Sequence, residues 1–408
     1  MLKSCTLVCR SWTGPSTRLL FQRIHIRNGH TASTPEQPSP LSCFCEAIAD
    51  PNSRLCATVR TLMMHGAVDL QSLRYAIEHL PCLQMLSLIF VNVVPGSLPP
   101  KYTTTSPAQR MNIEDLVVSG GLSDMLGDDP VSLFELFSWF SQVNHLRIDW
   151  PYQYTTTTSV PKMTTRKENY TPVYVRKLTV ESFALSAGHL PHLIDLRALV
   201  HLETTVLNGA AARVLNRLFA EHKCGESLET CNIELHAPYE PRKDLTFDHE
   251  THGFPSPFPE GSCPVLHKLR LTYIAVVRRG WTTSLAHIVS PWEYYVAHIL
   301  DPKVLPALRD ILLDISLEVL GPEFVNSLYD PKEDPCHRLL DTLDWSLLDR
   351  WCADSSTARS VQIAVTLEDH DYPAQSKAPD HQYSKLIKSK VSRQVQDILS
   401  FTLAFASP

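Results

Sequence analysis

A recurring spacing of leucines constrains this chain more than any other feature. The stretches "LPCLQMLSL" (Leu80, Leu83, Leu86, Leu88) and "CPVLHKLRL" (Cys263, Leu266, Leu269, Leu271) share one form, an apolar residue at every third position followed by an alternation of period two. Alternation puts Leu86 and Leu88, or Leu269 and Leu271, on the same side of an extended strand. Weaker copies surround Leu62, Leu116, Leu146 and Leu178, precede Ile233, follow Leu305 and lie near Val361. The early copies are spaced by roughly 24 to 32 residues and the later ones by about 40 or 50, so the period is loose.

Between these strand cores lie stretches with apolar residues at steps of three and four. They are "DLQSLRYAIEHL" (69 to 80), "VSLFELFSWFSQV" (131 to 143), "AAARVLNRLFAEHK" (210 to 223) and "WSLLDRWCADS" (345 to 355), each an amphipathic helix by its spacing. Strand, helix and strand again is an α/β pattern. With the form L-x-x-L-x-x-L-x-L, it predicts an irregular leucine-rich-repeat solenoid, a horseshoe, over residues 55–370. Three inserts rich in proline, threonine and charge (95 to 110, 151 to 172 and 236 to 262) are expected as loops pushed out of the stack. Residues 29–54, beginning "NGHTASTPEQPSP", are expected to be a linker. Residues 371–408 are expected to form a loop and a terminal helix capping the array, with Leu386, Ile387, Val391, Val395, Ile398 and Leu399 on its apolar stripe.

At 408 residues with 44% hydrophobic content the chain can bury a large core. Its 37 basic against 43 acidic residues give a net charge of -6, too little positive charge for phosphate-backbone binding, so a nucleic-acid partner is not expected. No uninterrupted apolar run is long enough to span a bilayer and no apolar leader opens the sequence, so the expected location is cytoplasmic or nuclear, not secreted, with no membrane partner. The 11 cysteines stand mostly alone in apolar surroundings, which suits reduced thiols buried as small hydrophobes.

The opening stretch "LKSCTLVCRSWTGPSTRLLFQRIHI" has its own helical face, Leu2, Cys5, Val8, Cys9 and Trp12, broken by Gly14 and Pro15 and followed by Leu20, Phe21 and Ile24. This stretch resembles the second half of an F-box as written in many fungal F-box proteins: L-x-x-C-x-L-V-C-R-x-W followed by L-F-x-x-I. The resemblance covers residues 2 to 26 and makes residues 1–28 partial F-box helices. It implies that Leu2, Cys5, Val8, Cys9 and Trp12 abut a Skp-type adaptor, and through it a cullin, with Leu20, Phe21 and Ile24 in the closing helix. The family's Leu-Pro-x-Glu-type first helix has no counterpart before Met1, which puts adaptor binding by this polypeptide in question.

No catalytic constellation accompanies the resemblance. The chain lacks a G-x-S-x-G elbow, a Walker loop and a dinucleotide fingerprint. Cys43 and Cys45 in "CFC" are one residue closer than zinc ligands require, and His189 and His192 in "HLPHL" sit in a leucine run. "EDHD" at 368–371 reads as a solvated loop. The expectation is therefore a protein that is not an enzyme and uses no metal or cofactor. As the resemblance implies, it would be the substrate-recognition subunit of a Skp–cullin–F-box ubiquitin ligase, binding an unknown protein substrate through the solenoid. The alternative is an interaction scaffold with no ligase link. Trp281, Trp292, Tyr294 and Tyr295, in "RRGWTTSLAHIVSPWEYY", are the candidate recognition loop because aromatics dominate interface anchors; the competing reading packs them into the core.

Overall fold

Neighbouring strands are locked in register by one repeated device. The Gln22 carbonyl accepts the N–H groups of both Arg60 (2.9 Å) and Thr61 (3.0 Å), and Arg60 in turn accepts from Gln84 (2.8 Å) and Met85 (3.0 Å). The same clamp recurs further along, where His267 accepts from Arg309 and Asp310, both at 3.0 Å. The computed structural model describes residues 19–28, 39–50, 55–94, 110–119, 131–149, 171–180, 190–206, 209–236, 257–278, 286–320, 335–355, 358–369 and 380–406. The chain divides into two compact units, one of 1–181 with 189–196 and one of 182–188 with 197–408.

In the first unit the strands are β1 (Arg23–Arg27), β2 (Thr61–Asp69), β3 (Met85–Val94), β4 (Met111–Ser119), β5 (Phe140–Asp149), β6 (Val173–Val180) and the two-residue β7 (Ile194–Asp195). They pair in chain order, every pair parallel. The register aligns Ile24, Leu62, Leu86, Leu116, Leu146 and Leu178 in one row. Two residues on, Ile26, Met64, Leu88, Val118, Ile148 and Val180 form a second row, and all six are buried. Helices α1 (Pro40–Ala49), α2 (Leu70–Glu78), α3 (Val131–Ser138) and the short α4 (Leu190–Leu193) accompany the sheet.

The second unit repeats the plan with β8 (His201–Val206), β9 (Thr230–His236), β10 (Lys268–Arg278), β11 (Asp310–Leu320), β12 (Ser360–Asp369) and β13 (Leu399–Ala406), again parallel and in chain order. Its buried row runs Leu202, Cys231, Leu269, Ile311 and Val361. The helices are α5 (Gly209–His222), α6 (Ala286–Ile299), α7 (Pro335–Thr342), α8 (Ser346–Asp354), α9 (Asp380–Lys390) and α10 (Arg393–Ile398). Helix α5 ends with Lys223 at φ 55 and the Cys224 N–H bonded to the Leu218 carbonyl at 3.4 Å, a left-handed cap. Directly after it, a Cβ on Gly225 would lie 2.2 Å from the Ser262 carbonyl oxygen, so the turn before β10 is seated on the end of α5.

This architecture is an open, all-parallel α/β fold, and it overturns the expectation of a leucine-rich-repeat horseshoe. Strands range from two residues in β7 to 11 in β10 and β11, and helices from four residues in α4 to 14 in α5 and α6, so no interchangeable unit repeats. The leucine signature records a turn closed by an apolar residue and a strand covered on one face. Any parallel βα chain with one covered face needs both, so the signature located the strands correctly while naming the wrong architecture.

Three boundaries also differ. Within residues 29–54, read as linker, α1 forms because Ser39 caps it by accepting from the Ser42 N–H, Pro40 suits the first turn, and Leu41, Phe44, Cys45 and Ile48 share a buried stripe. Ile24 lies on β1 instead of closing a helical bundle, since the alternation of "RIHIR" aligns it with Leu62. The expected capping helix over 371–408 splits in two: Ser392 caps α10, and the period-two run "LSFTLAFA" becomes β13. Lys390 at the end of α9 pairs with Asp341 on α7 at 2.7 Å, and that bond holds the Asp341 carboxyl below its usual range.

Gly66 provides a test of the edge of the first unit. It sits at φ 83, and an added Cβ would fall 2.1 Å from the Asn28 carbonyl oxygen. Gly66→Ala must therefore push β1 away. The expected result is fast hydrogen exchange at the Asn28 N–H, which bonds the His65 carbonyl at 2.8 Å, with β5 and β6 still protected.

Candidate functional site

The alternation that buries one face of each sheet leaves the other more exposed, with polar and charged residues set among apolar ones such as Met63 and Ile89. In β2 the buried residues Leu62, Met64 and Val68 alternate with half-buried Thr61, Met63, His65, Ala67 and Asp69. On this second face of the first unit lie Arg23, His25 and Arg27 of β1, His145 and Arg147 of β5, and Lys177 of β6. His145 spans three strands: its Nδ1 stands 3.2 Å from Asp115 Oδ1 on β4, and its Nε2 is 3.0 Å from Thr179 Oγ1 on β6. In the second unit the matching face carries the Arg270–Asp314 pair at 2.5 Å, again between adjacent strands.

The face of the first unit also bears an aromatic group. The register between β2 and β3 slips at His65 and Gly66, where His65 pairs with Ile89 and Gly66 with Val91, so Phe90 is an inserted bulge residue. Phe90 has φ 47, a left-handed conformation that costs a non-glycine residue of order 1–3 kcal/mol. Its ring is 50% exposed, with its centroid 5.7 Å from that of His65, which is in turn 6.4 Å from His25. The Asn28 side chain donates to the Ala67 carbonyl, while its buried Oδ1 has no hydrogen-bond partner among the described residues.

The residues singled out from sequence are only partly brought together. Leu2, Cys5, Val8, Cys9 and Trp12 lie outside the described residues, as do Trp281 and the side chain of Tyr295. Leu20 is half-buried in a helical turn beside Leu19 and Phe21, which are 60% and 38% exposed. Trp292 is buried on α6 with its ring 5.4 Å from Tyr273 of β10, so it is core, not a recognition anchor. Tyr294 is half-buried, its ring 4.5 Å from His298, and burial raises its pKa.

Phe90 went unnoticed in the sequence although a signal exists. In "LSLIFVNVV" the apolar phase runs through Leu86 and Leu88, then shifts to Val91 and Val93, and a phase slip in a period-two run marks an inserted residue.

Among the described residues no group of three or more histidine, cysteine or acidic side chains is arranged to hold a metal ion. The buried thiols are poor nucleophiles. Burial lifts Cys45 and Cys263 to about 12 and Cys352 to about 11, and raises Cys224 and Cys231 as well. Among the described residues no helix is long and apolar enough to cross a membrane. No protein-family model matches the chain, and no curated protein matches it significantly.

Two measurements check these assignments. Among the described cysteines, alkylation of the native protein at pH 8, read by peptide mass spectrometry, should modify exposed Cys43 and Cys82 first and leave Cys45, Cys224, Cys231 and Cys263 untouched until denaturant is added. Trp292→Ala should cost about 3–5 kcal/mol of unfolding free energy, as loss of a buried indole does, seen as a lower denaturant midpoint.

Proposed function

We propose that this chain is a non-catalytic substrate receptor of a Skp–cullin–F-box ubiquitin ligase, in which the F-box-like stretch of residues 2 to 26 holds a Skp-type adaptor and the polar sheet face of the first unit captures a protein substrate. Phe90 carries the receptor half of the reading. A large aromatic held exposed in a left-handed conformation, beside His65 on a face that mixes charged and apolar residues, is strain without benefit to the core. Such strain persists where a surface is used. An aromatic with polar groups around it is also the composition of an interface anchor. The adaptor half rests on the resemblance, supported by Leu19 and Phe21, two large apolar side chains held in water within that stretch. The ligase would act by proximity, raising the effective concentration of the captured protein near a ubiquitin-charged partner.

The scaffold reading has its own support. β1 joins the sheet with Asn28 bonded across to β2, so the end of the F-box-like stretch is part of the sheet.

Titration of the full chain with a Skp-type adaptor separates the two readings. Under the ligase reading the wild-type chain binds, the Leu19→Ser, Phe21→Ser double variant binds at least tenfold more weakly, and Phe90→Ala binds the adaptor as the wild type does while losing its cross-linked cellular partners. No adaptor binding by the wild-type chain removes the ligase link and leaves the scaffold.

A further inference from the structure

Among the described residues β13 is an edge strand, and its own sequence carries none of the usual protection. Its eight residues, "LSFTLAFA", include no charge and no proline, and among the described residues its ladder partner is β12 alone. Soluble proteins normally blunt a free edge with charges, proline or a bulge, since unpaired N–H and C=O groups otherwise recruit another strand. β1, the edge of the first unit, follows that rule with Arg23 and Arg27 in a strand of five residues.

The phase of the ladder fixes which groups β13 presents. Ser360 donates its N–H back to the carbonyl of Arg309, just before β11, so in β12 the main chain of Val361, Ile363 and Val365 faces β13. On β13 the main chain of Ser400, Thr402, Ala404 and Ala406 then faces β12. The N–H and C=O groups of Leu399, Phe401, Leu403 and Phe405 face outward. The apolar rows are also less fully covered here. Val361 and Ile363 are fully buried, whereas their row neighbours Leu399 and Phe401 are only half-buried.

We propose that β13 pairs with β13 of a second copy of this chain, forming an antiparallel, two-fold ladder that continues the parallel sheet across the seam. A second copy suits this edge because the edge is neutral and self-similar. It offers no charge to select an acidic or basic partner, and a two-fold places half-buried Leu399 and Phe401 of each copy on the same side of the seam. Pairing β13 with β1 instead would be head-to-tail and would set the charges of Arg23 and Arg27 beside an apolar edge. The antiparallel register with the longest overlap of outward groups brings Leu399 opposite Phe405 and Phe401 opposite Leu403. Thr402 then faces its own copy in a non-hydrogen-bonded pair, with Cα atoms about 4.5 Å apart.

That self-facing position is the test. Sedimentation velocity of the full chain across the micromolar range should give a dimer for the wild type. Thr402→Glu and Thr402→Lys, whose side chains point away from the helix-covered face, should each dissociate at least tenfold more readily, because like charges meet across the seam. An equimolar mixture of the two variants should recover the dimer, an outcome that misfolded variants cannot give. Thr402→Cys should cross-link spontaneously into a covalent dimer on oxidation, as Cα atoms at that separation permit. A wild-type chain that stays monomeric, charge variants as dimeric as the wild type, or species growing beyond two copies with concentration would each overturn the proposal.

Discussion

The shared carbonyl that opens β2, β3, β9, β10, β11 and β12 is the constraint on which the rest of the sheet depends. One oxygen, such as that of Arg60 or His267, accepts two consecutive N–H groups from the next segment and thereby fixes where that segment turns into a strand. Because side chains alternate with a period of two, an error of one residue at this point would turn Leu86 and Leu88 to the polar face and Ser87 to the core. With the clamp in place, leucines far apart in sequence become adjacent in rows, and the helices need only cover those rows. A large-to-small change in a row, at fully buried Leu86 or Leu269, removes contacts on both neighbouring strands at once, which is why these positions hold branched aliphatic residues almost throughout.

The strands were legible because this constraint is local. Each leucine-spaced copy around Leu62, Leu116, Leu146 and Leu178 falls on β2, β4, β5 and β6, and period-two alternation alone was enough to find them. The architecture was not legible, because a one-sided parallel sheet of unequal strands and a repeat solenoid write the same short signature. β1 and β13 show why edges are harder. β1 has five residues and reads as the tail of a helical motif, while "LSFTLAFA" follows a helical stripe closely enough to be absorbed into it. Only pairing with β12 decides the second case.

The candidate surface was still less visible. Trp292 and Phe90 are both large aromatics in apolar runs, and nothing in composition tells the exposed ring from the buried one. Tertiary context does. Trp292 lands on the helix layer against Tyr273, whereas the one-residue slip between β2 and β3 turns Phe90 out beside His65. The thiols were easier to read: cysteines in apolar strands such as Cys231 are buried, and burial first, with Cys263 and Cys224 next, disfavours the thiolate.

The seating of the turn before β10 on the end of α5 has a consequence for how such a chain tolerates change. With Gly225 against Ser262 and the ring of Phe258 5.0 Å from that of Phe219, the approach to β10 is held against α5. Residues 237–256 connect two points that are each fixed independently. Their length can therefore drift by insertion or deletion without moving the register of Leu269 and Leu271. The sheet can stay constant while the connection is free to acquire new sequence, so the two parts of one chain can evolve at different rates.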